Sequence, residues 1–170
     1  MDPATGKQTP GTPLELTLSV VAVGKNQCKP LAGAIVDVWH CDASGAYSEF
    51  KDPHFGDYRG KKFLRGFQTT DSTGVVRFTT IYPGWYPGRA VHIHYKVRTP
   101  DGKEFTSQVF FDEKITDTVH AAQPYKRPGK RQMNVDDGIY REQGGRQSIL
   151  ALSSKNDGDY AATYSVGMMV

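Results

Sequence analysis

The sequence predicts an all-β fold, an antiparallel β-sandwich with long loops and at most one or two short helices. Three observations support this prediction: short runs that alternate apolar and polar residues, turn-forming residues between the runs, and many glycines and prolines. The 170 residues include 18 glycines and 10 prolines, too many for a helical bundle. We expect residues 1–170 to form a single domain that is large enough to have its own hydrophobic core.

The alternating runs predict six strands. Residues 14–20 read Leu-Glu-Leu-Thr-Leu-Ser-Val, a period of two that buries one face of a strand. The other predicted strands cover residues 34–39, 75–80, 91–98, 105–111 and 160–169.

Turns, one helix and one long loop fill the segments between these strands. Turn-forming residues occur at 42–45, 71–74, 100–102 and 156–158. Residues 112–122 are the best helix candidate, because Ile115 and Val119 lie four positions apart. Residues 123–147 are polar and irregular, which predicts a long loop, and residues 1–12 predict a disordered lead-in.

Charge and hydropathy exclude two classes of partner. The chain has 21 Lys and Arg against 18 Asp and Glu, and a net charge of +3 does not favour nucleic acid. No apolar run approaches the roughly 18 residues needed to span a bilayer, so no membrane partner is expected. The start, Met1-Asp2-Pro3-Ala4, has no basic segment followed by an apolar one, so we expect no signal peptide in this chain.

The most informative short pattern is His92-Ile93-His94, inside a predicted strand. Positions i and i+2 of a strand face the same side, so both imidazoles project together while Val91, Ile93 and Val97 face the core. Two imidazoles one pleat apart can chelate one metal ion. Two histidines on a solvated face give the same pattern, which leaves both interpretations open.

A loop dense in glycine and proline, residues 82–89, lies directly before this strand and contains three aromatic residues and one arginine. Such loops often hold functional side chains. A tyrosinate is a hard oxygen ligand suited to Fe(III), and the ion would lower the pKa of the phenol well below about 10.

Two longer blocks of sequence are informative. The first covers residues 30–48 (PLAGAIVDVWHCDASGAYS), and the second runs from Arg65-Gly66-Phe67-Gln68-Thr69-Thr70-Asp71 to His94. Together they resemble the intradiol ring-cleavage dioxygenases. The similarity spans roughly residues 14–125, and the joint spacing of two tyrosines, an arginine and His-x-His is more specific than any single piece. The resemblance implies that O2 cleaves catecholic aromatics to cis,cis-muconate-type products, with one non-haem Fe(III) per chain that activates the chelated catecholate.

The resemblance implies the iron ligands residue by residue. They are Tyr47, Tyr86, His92 and His94, and Tyr86 matches the ligand that leaves the iron when substrate binds. Tyr82 is a rival for Tyr86, but the family places its tyrosine after Pro-Gly-x, which favours Tyr86.

Two further residues match catalytic positions of the family besides Tyr86. Arg89 matches an arginine that stabilises charge developing on the substrate, and Gln108 matches a glutamine that lines the same pocket. The ring substituents of the substrate are not predicted. Lys61, Lys62 and Arg65 are candidates to bind a carboxylate only because they lie between the two blocks, and a solvated basic turn is the favoured interpretation.

The chain also departs from the larger catechol enzymes. About a dozen residues precede its first strand, so dimerisation through an N-terminal helical segment is not expected, and the oligomeric state stays open. The short sequence and the pair Cys28 and Cys41 look more like extracellular members, which implies a Cys28–Cys41 disulfide and an extracellular or periplasmic location. Unlinked thiols and a cytoplasmic location remain the alternatives.

Two other function classes also fit parts of the sequence. A non-catalytic β-sandwich binding module, of the transthyretin-like or immunoglobulin-like kind, would need no iron and no clustered Tyr and His. A zinc hydrolase using His92, His94 and Asp101 would be colourless and indifferent to O2, although Asp101 lies in a predicted turn.

Overall fold

The structure is a computed structural model that describes residues 8–24, 27–155 and 158–169. It is mostly β-structure with a few short helices, as predicted. The strands are β1 (Pro13–Val23), β2 (Cys28–Pro30), β3 (Ile35–Trp39), β4 (Lys51–Asp52), β5 (Gly56–Asp57), β6 (Arg65–Thr69), β7 (Val75–Ile81), β8 (His92–Arg98), β9 (Glu104–Phe110), β10 (Ala151–Ser154) and β11 (Tyr160–Met169). The helices are α1 (Glu113–His120) and α2 (Gly138–Glu142), with 3-10 turns at Asn134–Asp136 and Gly145–Ser148.

All six predicted strands form, as β1, β3, β7, β8, β9 and β11, and five short strands were missed. Strands β2, β4, β5 and β10 span four residues or fewer, which is too short for a period to show. Strand β6 is exposed along its whole length, so its sequence has no reason to alternate.

The strands form two larger sheets and a small hairpin. The first sheet has the order β10-β11-β1-β2, with β7 also paired to β1, and the second has the order β6-β3-β8-β9. Strands β4 and β5 form the hairpin. The prediction of a purely antiparallel fold is wrong at one place, because β1 and β11 run parallel with Leu14 opposite Tyr160. Strands so distant in sequence are not joined by a hairpin turn, so nothing local forces them to be antiparallel.

Both sheets contribute to one buried hydrophobic cluster. Alternate residues of β1 point into it, which explains the period of two in the sequence. Burying each of these leucine side chains contributes roughly 2 kcal/mol. The members of this cluster include Leu14, Leu16, Leu18, Val20, Val36, Val38, Val76, Ile93, Tyr95, Val97, Val109 and Val166.

The predicted helix at 112–122 is confirmed as α1, and the Asp112 carboxylate caps it by accepting from the backbone N–H groups of Lys114 and Ile115. The prediction that residues 123–147 are irregular throughout is wrong. That segment holds α2, which Asp137 caps. A helix of five residues is too short to give a recognisable apolar period.

The predicted Cys28–Cys41 disulfide is also wrong, because both cysteines are free thiols. Cys28 is exposed on β2 in the first sheet, whereas Cys41 is buried just beyond β3 of the second sheet. The chain passes from one sheet to the other between them, and the Cys41 thiol donates to the Gly84 carbonyl over 3.4 Å. The location inferred with the disulfide stays a prediction.

Part of the predicted lead-in and part of the predicted turn at 156–158 lie outside the described residues. Thr12, the last residue of the lead-in, is ordered, because its N–H donates to the Tyr125 hydroxyl and its carbonyl accepts from the Tyr82 N–H, each over 2.8 Å. No helix within residues 8–24, 27–155 and 158–169 is both long and apolar enough to cross a bilayer.

Candidate metal centre

Two phenol oxygens and two imidazole nitrogens meet at the start of β8. The hydroxyl of Tyr47 lies 3.3 Å from His92 Nε2, and the hydroxyl of Tyr86 lies 3.4 Å from the same nitrogen. His94 Nε2 is 3.0 Å from His92 Nε2. The structure therefore brings together all four residues that the sequence selected as iron ligands.

Strand geometry explains how β8 presents its two histidines. His92 and His94 share one face, while Ile93, Tyr95 and Val97 on the other face belong to the hydrophobic core. The aliphatic and aromatic side chains of the inner face fix the strand, so the two imidazoles are held in place from behind.

Each imidazole is also held by a neighbour outside the cluster. Nδ1 of His92 lies 2.7 Å from the Ala90 carbonyl, which only accepts, so Nδ1 bears the proton and Nε2 offers its lone pair to the cluster. The ring of His94 stacks on Trp39, its register partner in β3, with centroids 4.9 Å apart and planes 2° from parallel. These contacts orient both nitrogens before any ligand binds.

Burial sets the protonation of the four groups. It lowers the pKa of His92 to about 4, and burial together with the neighbouring His92 lowers the pKa of His94 to about 3. Burial raises the pKa of the Tyr47 and Tyr86 phenols. Near neutral pH the imidazoles are therefore uncharged, and a bound cation would be needed to favour the phenolate forms.

The loops that hold the two tyrosines are pressed together. Gly45 adopts a left-handed φ of 95°, and a Cβ added there would lie 2.2 Å from the Trp85 carbonyl oxygen. Arg127 joins the same two loops, because its guanidinium donates to the carbonyls of Ser44 and Trp85 and stacks 3.9 Å from the centre of the Trp85 ring. Glycine at position 45 is thus what allows Tyr47 and Tyr86 to approach each other.

The rival ligands from the sequence lie elsewhere. The Tyr82 side chain is fully buried, and its hydroxyl bonds to the Thr116 hydroxyl over 2.8 Å. Asp101 lies in the turn beyond the opposite end of β8 from His92, where it bonds to Thr99 and Lys103. The zinc hydrolase interpretation therefore lacks its carboxylate ligand.

Arg89 and Gln108, the other predicted site residues, lie beside the four-residue cluster and touch each other. The Arg89 guanidinium donates to the Gln108 side-chain carbonyl, and Gln108 is the register partner of His94 in β9. Arg89 Nε also donates to Asp137 over 2.9 Å, forming a mostly buried ion pair. Sequence reasoning missed Asp137. No sequence pattern marked it, because helix α2 was not predicted and its partner Arg89 lies 48 positions away.

A cavity of about 310 Å³ opens beside the cluster. Its lining includes Tyr47, Tyr86 and His94, together with the aromatic residues Trp39 and Phe55. This volume, at the lower end of the range for small-molecule sites, is enough for one substituted aromatic ring.

The donor set fits a single metal ion. Donor atoms that lie ~2.1 Å from one ion and at right angles to one another are ~3 Å apart. The spacings of 3.0, 3.3 and 3.4 Å around His92 Nε2 are close to this value. Phenolate oxygens with imidazole nitrogens suit Fe(III) better than a soft metal such as Cu(I).

Comparison with known proteins identifies the family. The profile of a family described as Dioxygenase matches residues 3–150. An intradiol ring-cleavage dioxygenase of known structure from Tetranychus urticae is 32% identical, with a TM-score of 0.84 over 96% of this chain and 83% of that chain. The chain belongs to the intradiol ring-cleavage dioxygenase family. The sequence resemblance is therefore confirmed.

Other dioxygenases of this family are similar over smaller parts of their length. A chlorocatechol 1,2-dioxygenase from Pseudomonas putida is 31% identical over 140 residues, which are 66% of this chain and 52% of that protein. A catechol 1,2-dioxygenase from Candida albicans is 31% identical over 101 residues, 48% of this chain and 32% of that protein. The chain thus spans about half the length, or less, of the curated relatives it matches.

Proposed function

We propose that the chain uses a non-haem Fe(III) ion and O2 to cleave catecholic aromatics between their two hydroxyl-bearing carbons. The products would be cis,cis-muconate-type dicarboxylic acids. The observation that carries this proposal is that two phenols and the His94 imidazole lie within 3.4 Å of His92 Nε2, next to a cavity of aromatic size. Similarity to proteins named catechol and chlorocatechol 1,2-dioxygenases supports it.

Tyr47, Tyr86, His92 and His94 would hold one Fe(III) per chain. When bound, the ion would activate a chelated catecholate toward O2. The remaining chemistry belongs to Tyr86 and to the side chains beside the four-residue cluster, and it concerns protons and charge.

Tyr86 is the base for one of the two substrate protons. Tyr86 lines the cavity, and its loop is exposed at Pro87 and Gly88, so the side chain has room to turn. A phenolate is basic enough to take a proton from a catechol hydroxyl. Tyr47 is held closer to the core, which suits a permanent ligand.

Arg89 supplies a fixed positive charge at the site. Its guanidinium is oriented by Gln108 on one side and Asp137 on the other. A preoriented cation in a poorly solvated site stabilises negative charge that develops on the ring during cleavage. Gln108 orients this cation through its side-chain carbonyl.

Three further features belong to the same proposal. We infer that the two sheets pack face to face as a sandwich, because both contribute to one buried cluster. Catecholic substrate and O2 are the partners in this proposal. An extracellular or periplasmic location remains a prediction without support from the two free cysteines.

The first test is a visible absorption spectrum and an iron assay of the purified protein, before and after anaerobic addition of catechol. We expect one iron per chain and a broad tyrosinate-to-Fe(III) band that shifts when catechol binds. Oxygen uptake should then equal the amount of dicarboxylic acid formed. A protein that stays colourless when Fe(III) is supplied would leave a binding module as the better explanation.

A further inference from the structure

Arg65 lies at the cavity beside the four-residue cluster, and the proposed function gives it no part in the chemistry. It is in β6, the edge strand of the second sheet, directly opposite Trp39 of β3. Its side chain lines the cavity together with Tyr47, Tyr86 and His94. The neighbouring Lys61 and Lys62 are not among the residues that line this cavity in the described chain.

The guanidinium of Arg65 is anchored on one side only. Its Nε donates to Ser48 Oγ over 3.0 Å, and its Nη2 donates to the Ser48 carbonyl over 2.9 Å. Ser48 is itself fixed, because its hydroxyl donates to the Phe63 carbonyl over 2.7 Å. Two of the three guanidinium nitrogens therefore hold the group in place, and the third, Nη1, has no hydrogen-bond partner in the described part of the chain.

Within the described residues, the positive charge of Arg65 is not paired with a carboxylate in a salt bridge, although it adds to the lowering of the Glu49 pKa that the bond from Lys62 causes. Arg65 forms no salt bridge with any residue that the structure describes, whereas nearby Lys62 pairs with Glu49, and Arg59 pairs with Asp57 at 2.6 Å. An oriented, unpaired guanidinium is well suited to a carboxylate, because its planar donors match the two carboxylate oxygens.

One acidic residue, Asp52, lines the same cavity, so its charge must be weighed against that of Arg65. Asp52 Oδ1 already accepts from the backbone N–H groups of His54 and Phe55, over 2.7 and 3.2 Å. These two bonds offset part of its negative charge and keep that oxygen turned toward its own hairpin. The Arg65 guanidinium retains its positive charge and one unused donor nitrogen. The cavity should therefore prefer an anionic to a cationic ligand.

We propose that Arg65 binds an anionic substituent of the substrate, so that the preferred substrates are catechols with a carboxylate-bearing side chain. The inference rests on the proposed function and names the substrate class within it. In this proposal the catechol hydroxyls would face Tyr86 and His94, and the ring would lie in the cavity that Trp39 and Phe55 help to line. The substituent then reaches the edge of the cavity formed by β6.

A purely structural role for Arg65 predicts something different. If Arg65 only held the loop of Ser48 and Tyr47 in place, its loss would weaken the binding of all catechols equally. If Arg65 recognises negative charge, its loss should weaken the binding of anionic catechols only. The ratio of the affinities for an anionic and a neutral catechol therefore distinguishes the two roles.

The experiment compares three 4-substituted catechols of similar size: 3,4-dihydroxyphenylacetate (anionic), 4-ethylcatechol (neutral) and dopamine (cationic). Dissociation constants come from anaerobic titration of the iron-loaded protein, and kcat/KM comes from oxygen uptake. We expect the wild type to prefer the anion, and Arg65→Gln to lower the anionic-to-neutral ratio about tenfold. Arg59→Gln removes the same charge outside the cavity and should leave the ratio as it is.

Separate measurements of binding and turnover distinguish a failure of the Arg65 inference from a failure of the proposed function. An equal ratio in the wild type and in Arg65→Gln would overturn the inference, as would a preference for dopamine, which would assign recognition to Asp52. If the iron-loaded wild type cleaves none of the three compounds, the proposed function fails. The titrations still decide whether Arg65 selects an anionic catechol.

Discussion

The carboxylate of Asp137 lies 2.9 Å from Arg89 Nε and connects helix α2 to the arginine beside the metal centre. The same carboxylate accepts from the backbone N–H of Ala90 over 2.8 Å and from that of Ile139, at the start of α2, also over 2.8 Å. One buried acid thus fixes the orientation of Arg89, the approach to β8 and the first turn of a helix.

Replacing Asp137 by Asn should therefore affect both stability and turnover. An amide cannot accept from every present donor and carries no charge to balance the buried part of Arg89. We expect the free energy of unfolding to fall by about 3 kcal/mol. The rate of catechol cleavage should also fall, because Arg89 loses its anchor. Urea unfolding and oxygen uptake measure the two effects.

The control for this change is the adjacent residue, since Asp136 is exposed and its side chain makes no hydrogen bond that would be lost in Asp136→Asn. Equal urea midpoints for the two variants would show that the Arg89–Asp137 pair does not stabilise the fold.

The pair also predicts how stability depends on pH. Burial alone would raise the pKa of Asp137, but the bonds from the Ala90 N–H and from Arg89 outweigh it and hold the pKa below its ordinary value. A carboxylate whose pKa is lower in the folded state stabilises the fold above its unfolded pKa of about 3.9. That stabilisation is lost as the pH falls through the folded value.

Unfolding measured between pH 7 and pH 2 should accordingly show a constant difference between the wild type and Asp137→Asn above about pH 5, which shrinks below about pH 4. A difference that does not change over this range would mean that Asp137 is not the titrating group.

Tyr47 and Tyr86 should differ in what their loss does. Tyr86→Phe should keep most of the iron but slow turnover by about a hundredfold or more, because the base for a substrate proton is gone. Tyr47→Phe should lose iron first. Iron content, the visible band and oxygen uptake distinguish the two. Tyr164→Phe is the matched control, because Tyr164 lies in β11 of the other sheet and does not line the cavity. Full activity in Tyr86→Phe would show that the assignment of the base is wrong.

Gly45→Ala tests the close approach of the two tyrosine loops. The new Cβ would meet the Trp85 carbonyl at 2.2 Å, so the loops must separate, and the tyrosinate band should weaken as iron is lost. Gly60→Ala is the control, because Gly60 also has a left-handed φ, of 77°, but no heavy atom within 4 Å of an added Cβ. Both variants should lose about 1 kcal/mol of stability through the backbone. Equal iron retention in the two would argue against the contact.

The two cysteines provide a chemical test of the fold. A thiol reagent should label Cys28 in the native protein and both cysteines after unfolding, because Cys41 is buried. Burial also raises the pKa of the Cys41 thiol to about 12, which further slows its reaction. Prior treatment with a reductant should change neither count, and an increase after reduction would reveal the disulfide that the structure lacks.

Much of the site could be predicted from the sequence because its signals are local. The alternation in His92-Ile93-His94 follows from a strand with one buried face, and the resemblance supplied Tyr47 and Tyr86. Their roles as ligands stay predictions. Asp137 could not be found in this way, since its partner Arg89 is distant in sequence and its own segment has no period.

The parts of the fold that were not predicted also leave no local pattern in the sequence. Strand β6 is an exposed edge, so no apolar pattern marks it, although it contains Arg65. The parallel pairing of β1 with β11 depends on a partner almost the whole chain away. The wrong disulfide has a related cause, because a count of two cysteines contains no information on which sheet each occupies.

The parallel pairing of β1 with β11 has a consequence for synthesis on the ribosome. Strand β1 finds β2 and β7 on one side early, but its other edge, from Leu14 to Val23, waits for β11, which emerges much later. Until then an unpaired strand with a leucine-rich inner face is exposed to other nascent chains. We expect chains that stop before β11 to bind holdase chaperones or aggregate, and completion of β11 to be the step that makes the protein soluble on its own.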